Sequence, residues 1–143
     1  MGYTNYWERP PLLPAPAFGQ AVADCRRILP ELHIPLAGAD GSGKPIFRTT
    51  EIVFNGVGAA SYETFGVRRE EADSGDSPRG FSFCKTAHKP YDLAVQVALI
   101  VFKHHLGAQL CVRSDGKEAA WDRARQLCQQ YLGYGTDFRL DPG

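Results

Sequence analysis

From Leu93 to Phe102 the chain is apolar at every position except Gln96. Set on a helix, these residues cover all faces rather than one stripe, which predicts an element buried on nearly every side. The run is too short to cross a bilayer, which takes about 20 residues. It therefore predicts a core helix over 93–106, closed by Gly107 at the usual stop position and opened by Pro90-Tyr91-Asp92, with Asp92 as N-cap. A helix without a polar face needs layers on both sides, which a sheet and companion helices supply. With 143 residues the chain has room for one such core, so it reads as a single domain, 1–143. Its 43% hydrophobic content excludes the disordered class.

The remaining elements follow from spacing. Tyr3 to Trp7 reads as a first strand, and Pro10 to Pro16 as a proline-rich connector that is extended or turning. Phe18, Val22, Cys25, Ile28 and Leu29 fall at helical spacing from Ala17 until Pro30 stops the helix. A glycine-rich loop then leads to a strand over Ile46–Asn55, which the Asn55–Ala60 turn joins to an antiparallel neighbour over Ser61–Arg69. The acidic stretch 70–79 has no apolar anchor and predicts a mobile surface loop. Phe81 and Phe83, alternating with Ser82 and Cys84, form the next strand, and Leu110–Arg113 a short one. Asp115-x-x-Glu118 resembles a capping box ahead of a last helix striped by Trp121, Ala124, Cys128, Tyr131 and Leu132 and ended by Gly133. The tail 134–143 is irregular. The expected class is α+β: a mainly antiparallel sheet of about five strands with three helices, the one at 93–106 central and buried.

Charge and cysteine usage narrow the function classes. Sixteen basic residues balance sixteen acidic ones, so no global field draws the protein onto bulk nucleic acid or an acidic membrane, though a local basic site stays open. The N-terminus has no secretory pattern, and Tyr6 stands where a myristoylation motif has Ser or Thr, so a cytoplasmic setting is expected. Cys25, Cys84, Cys111 and Cys128 are spread without a C-x-x-C pair and read as packed thiols. Cys84-x-x-x-His88 with the distant His104 and His105 lacks zinc-site spacing, and these two histidines suit the negative end of a helix, so neither metal nor cofactor is expected.

Gly38-Ala-Asp-Gly-Ser-Gly43-Lys44 spells a phosphate-binding loop, but Pro45 replaces the hydroxyl residue and a strand follows where a helix is required. Gly56-x-Gly58 fails as a dinucleotide motif for the same reason. The densest polar stretch is Phe81 to Asp92. Lys85, Thr86, His88 and Lys89, with Tyr91 and Asp92, stand at a helix N-terminus, where unpaired amides and added donors favour an anion; the competing reading is that Asp92 caps those amides itself. Cys84 with His88 is a weak nucleophile–base candidate, and Glu63 a weak general acid or base. Tyr3 and Asn5 share one face of the first strand and offer a ring and an amide to a planar ligand, or simply anchor the strand.

Gly2-Tyr3-Thr4-x-Tyr6-Trp7, Phe54-Asn55-Gly56 and Phe83-Cys84-Lys85-Thr86-x-x-Lys89-Pro90-Tyr91-Asp92 resemble the landmarks of a family of small uncharacterised bacterial and phage proteins. The resemblance implies a phage or prophage setting and carries no activity. Three functions are consistent with these residues: a binding module for a small anionic, nucleotide-like ligand at the 85–92 turn; a small hydrolase or transferase using Cys84 and His88 or Glu63; and an inhibitory factor that binds a protein through the proline-rich or acidic segment. The sequence fixes neither a reaction nor an oligomeric state.

Overall fold

The computed structural model describes residues 2–71 and 80–142. Strand β1 (Thr4–Arg9) leads to helix α1 (Ala15–Ile28), then β2 (Ile46–Arg48), β3 (Glu51–Phe54), β4 (Phe65–Arg68) and β5 (Gly80–Lys85). Helix α2 (Asp92–Leu106), β6 (Cys111–Ser114) and helix α3 (Asp122–Leu132) complete the order. The α+β class and three helices are as expected; the sheet is not. Among the described residues six strands form two antiparallel sheets of three, ordered β5-β1-β6 and β2-β3-β4. The predicted strand 46–55 is a hairpin, with Arg48 opposite Glu51 across a turn at Thr49 and Thr50. No glycine marks that turn, so the hairpin signal was missing from the sequence. β3 and β4 are antiparallel neighbours, as the Asn55–Ala60 turn predicts, although β4 begins only at Phe65.

Helix α2 lies between α1 and α3 and against β6, and from Ala94 to Phe102 every residue is buried. Its all-round apolar surface is satisfied by neighbours on each side. Phe18 of α1 meets Phe102 edge-on at 5.2 Å, and Trp7 of β1 packs on Phe65 of β4 at 5.2 Å, which joins the two sheets through one cluster. Pro14 precedes α1 and Pro16 sits in its first turn, where a missing N–H costs nothing, so the helix starts before the predicted Ala17. The glycine-rich loop ahead of β2 carries a single short helical turn at Ala39–Gly41, with no helix after Lys44.

The predicted capping box at α3 is not formed. Asp115 accepts the Thr4 N–H and the Tyr6 hydroxyl, both at 3.0 Å, while Glu118 takes Arg125 through Oε1 and the Leu140 N–H through Oε2. Donors from β1 and the tail, brought close by the fold, replace the local amides. The irregular tail is nonetheless packed, with Phe138 stacked on Trp121 at 5.3 Å.

Arg9 closes the frame. Its guanidinium is buried at 1% exposure and donates to the carbonyls of Pro10, Pro11, Arg68 and Arg69 while pairing with Glu71. Glu70 and Glu71, the first residues of the predicted mobile loop, are thereby held: Glu70 bridges Leu12 and the Glu71 N–H reaches the Pro11 carbonyl. Residues 72–79 of that loop lie outside the described residues. Because four carbonyls share one buried cation, Arg9→Met should cost about 3 kcal/mol of stability by leaving acceptors unpaired. Urea denaturation of the variant measures this, and a change under about 0.5 kcal/mol, the size of an ordinary surface substitution, would contradict it.

Candidate functional site

The junction between β5 and α2 is built on the carbonyl of Tyr3, which accepts the N–H groups of Thr86 at 2.9 Å and Ala87 at 3.2 Å. Holding two successive amides on one oxygen turns the chain sharply. Ala87 and His88 both adopt the left-handed region, at φ 52° and 60°. For residues with a Cβ this costs roughly 1–2 kcal/mol each. The Lys89 N–H closes the turn on the Thr86 carbonyl at 3.0 Å, and the Asp92 N–H reaches the Lys89 carbonyl at 2.9 Å.

Asp92 does not cap its helix. It is the first helical residue, and its side chain bonds no amide of the helix; instead Oδ1 accepts Thr86 Oγ1 at 2.7 Å and Asn5 Nδ2 at 2.9 Å. The boundary position falls to Tyr91, and the strand and turn supply the donors that the carboxylate accepts. Ser114 Oγ in turn donates to Asn5 Oδ1 at 2.7 Å and accepts the Gly116 N–H at 3.0 Å. The Tyr3 hydroxyl lies 3.3 Å from the same oxygen. A Cβ on Gly116 would stand 2.0 Å from that hydroxyl, so a larger residue there would displace the Tyr3 ring. Burial pushes the Asp92 carboxyl up from its ordinary value, against the pull of its Thr86 and Asn5 hydrogen bonds.

Tyr91, fully buried, donates to the Glu63 carbonyl, and burial pushes its phenol far up. The Cys84 thiol donates to the same carbonyl at 3.4 Å; it is fully buried, and burial pushes it up to about 12. His88 is exposed, its ring 3.9 Å from that of Tyr3. Thiol and imidazole thus lie at different depths, and a neutral, buried thiol is poorly suited to attack. Glu63 spends its carboxylate on the Lys85 N–H at 2.7 Å, while its own N–H bonds the Lys85 carbonyl at 3.1 Å. That role fastens the 61–64 loop to β5.

The two lysines belong to a second group. Lys85 leaves β5 on the side opposite Cys84, its stem against Gly2 and its ammonium 5.9 Å from the centre of the Tyr62 ring. Lys89 Nζ donates to the Ala59 carbonyl at 3.3 Å. Among the described residues neither pairs with a carboxylate. The loop beneath them is organised by Asn55, fully buried, whose Oδ1 accepts the N–H groups of Gly56 and Tyr62 and whose Nδ2 donates to the Tyr62 carbonyl and Thr64 Oγ1. A Cβ on Gly56 would come within 2.2 Å of the Ala60 carbonyl, which fixes glycine after Asn55.

The predicted site residues therefore divide. Tyr3, Asn5, Thr86 and Asp92 form a largely buried polar knot with Ser114, topped by His88; Tyr91 is buried but bonds the Glu63 carbonyl, and Lys85 and Lys89 reach over the 59–62 loop beside the half-exposed Tyr62. Sequence reading missed Ser114, Tyr62 and the organising role of Asn55. The single available signal was Asn55 inside the Phe54-Asn55-Gly56 landmark. None of the four described concavities is lined by residues 84–92. At the far end of α2, His105 bonds Asp24 at 2.8 Å and His104 stacks on Tyr134 at 3.6 Å, so both are engaged within the fold.

No family model, no curated protein and no solved structure matches the chain. What the junction can do is read from its own geometry.

Two outcomes follow from that geometry. Ala87→Gly relieves a left-handed Cβ and should raise stability by up to about 1 kcal/mol, after the greater freedom of the unfolded chain is deducted; a loss in thermal unfolding would contradict the strain. The Asp92 carboxyl is raised in the fold, so the native state holds its proton more tightly than the unfolded chain. Stability should then fall as pH rises from the unfolded value through the folded one. Asp92→Asn keeps an acceptor for Asn5 and Thr86, and should remove that segment of the profile; denaturation curves at stepped pH that match wild type would refute the assignment.

Proposed function

We propose that the 85–92 junction binds a small anionic, nucleotide-like ligand, with Lys85 and Lys89 on its phosphate and the Tyr62 ring beneath its planar group. The observation that carries this reading is the pair of ammonium groups, both without a carboxylate among the described residues, leaning on one loop beside an aromatic ring that is 49% exposed. Unpaired cations next to an accessible ring complement a phosphate joined to a heterocycle. Tyr3, Asn5, Thr86, Tyr91 and Asp92 support the site by fixing the strained turn that spaces the two lysines, and His88 stands exposed at its edge. In the phage or prophage setting that the sequence landmarks imply, the role would be to hold a host nucleotide rather than transform it.

Titration calorimetry with a panel of nucleoside monophosphates and inorganic phosphate tests the reading. A nucleotide should bind, and replacing both lysines by alanine should weaken it at least tenfold, or about 1.4 kcal/mol. Absence of heat with every member of the panel, or equal affinity in the double variant, would refute it. Tyr62→Leu should reduce nucleotide affinity while leaving any inorganic phosphate binding unchanged.

A further inference from the structure

The face of the β5-β1-β6 sheet turned away from α2 is lined by aromatic side chains. Side chains alternate along a strand, so Cys84 points inward, fully buried, while Phe81 and Phe83 point outward at 55% and 54% exposure. Tyr6 stands directly opposite Phe83 on β1 and on the same side. The rings touch in series: Tyr6 lies 5.9 Å from Phe81, nearly parallel, and Phe81 lies 6.0 Å from Phe83. Two phenylalanines more than half exposed, on successive outward positions of one strand, are not accounted for by the core. Single exposed apolar residues need no explanation, but a contiguous aromatic row does.

The row is continuous with the cationic group. Lys85 is the next outward residue of β5 after Phe83, and its ammonium reaches Tyr62, on the loop whose Ala59 carbonyl accepts Lys89. Along β5 the order is thus ring, ring, cation, with Tyr62 on the adjoining loop and Lys89 reaching that loop from the turn before α2. On the β6 side, Arg113 pairs with Glu8 and the Tyr6 hydroxyl donates to Asp115, so these two groups are engaged within the fold. The row of rings leads along β5 toward Lys85.

We infer that this strip is a binding surface for single-stranded nucleic acid, with bases stacked on Phe81, Phe83 and Tyr6 and phosphates carried by Lys85 and Lys89. Flat rings followed by cations that have no carboxylate partner among the described residues match the chemistry of a polymer of bases and phosphates. Stacking on a sheet face is sequence-tolerant, because every base has a π-face. The chain's zero net charge is compatible with this, since the cations are local. The inference rests on the anion site proposed above and extends its ligand from a mononucleotide to a strand.

Fluorescence anisotropy with a labelled single strand of about ten nucleotides, which suits a short stacking groove, tests it. The strand should bind at least about tenfold more tightly than a nucleoside monophosphate, given the stacking of more than one base. Phe81→Ala with Phe83→Ala should remove that advantage, and both residues are exposed enough for the fold to tolerate the change, which circular dichroism verifies. The same variant should bind the monophosphate as wild type does, because neither ring belongs to that site. A monophosphate that binds while the strand gains nothing, or a strand indifferent to both substitutions, overturns this inference and leaves the anion site standing. No binding of either ligand overturns both. A dimer in sedimentation velocity that the two substitutions dissolve, together with no binding of the strand, would show that a second copy covers the face and would also overturn it.

Discussion

The Oδ1 atom of Asp92 joins three parts of the molecule that are remote in sequence: β1 through Asn5, the turn through Thr86, and the central helix that Asp92 begins. A half-buried carboxylate in such a place is tolerated because it receives charge-assisted hydrogen bonds; without them it would have to take up a proton or move into water. Once it is satisfied, the path from β5 into α2 is fixed. The left-handed pair at Ala87 and His88 then persists because its surroundings over-determine it. The positions of Lys85 on one side and Lys89 on the other are consequences of that path.

This arrangement separates support from presentation. The polar knot is too deep to be the main contact for a ligand, yet it uses several of the residues that a reading of chemistry alone selects first. Asn5 and Thr86 are fully buried, and the carboxylate of Glu63 is committed to a backbone amide. Outside the knot, the side chains that reach solvent are cations and rings: Lys85, Lys89, Tyr62, and the outward residues of β5. A rigid buried network beneath an adaptable cationic and aromatic surface is the division of labour expected when binding groups must be held in place without being packed away.

The gap between the residues singled out in the sequence and those that face solvent has a specific cause. Strand alternation separates Phe81 and Phe83 from Ser82 and Cys84 but does not say which set faces the core. Apolar content favours the phenylalanines, and the fold buries Cys84 instead. The inner face beside α2 is already filled by Trp7, Val112 and the helix itself, so a small thiol fits there where a ring would not. A similar competition decided the helix ends. Asp92 and Asp115 have cap-forming chemistry, but their carboxylates accept donors from β1 and the turn in place of the helix amides. The hairpin at Thr49 and Thr50 was hidden because its turn carries none of the residues that mark one.

The sequence by itself determined the central helix, its stop at Gly107, the α+β class, the antiparallel pairing of β3 with β4, and the concentration of polar groups at 84–92. These depend on periodicity and on single-residue backbone preferences, which are local properties of the chain. Only the tertiary structure decided that the strands divide into two sheets, that the polar groups split into a buried knot and a half-buried cationic rim, and that an aromatic row faces solvent. Those outcomes depend on which distant atoms reach a given donor, carboxylate or cavity first. That is settled by packing around α2 rather than by any stretch of sequence.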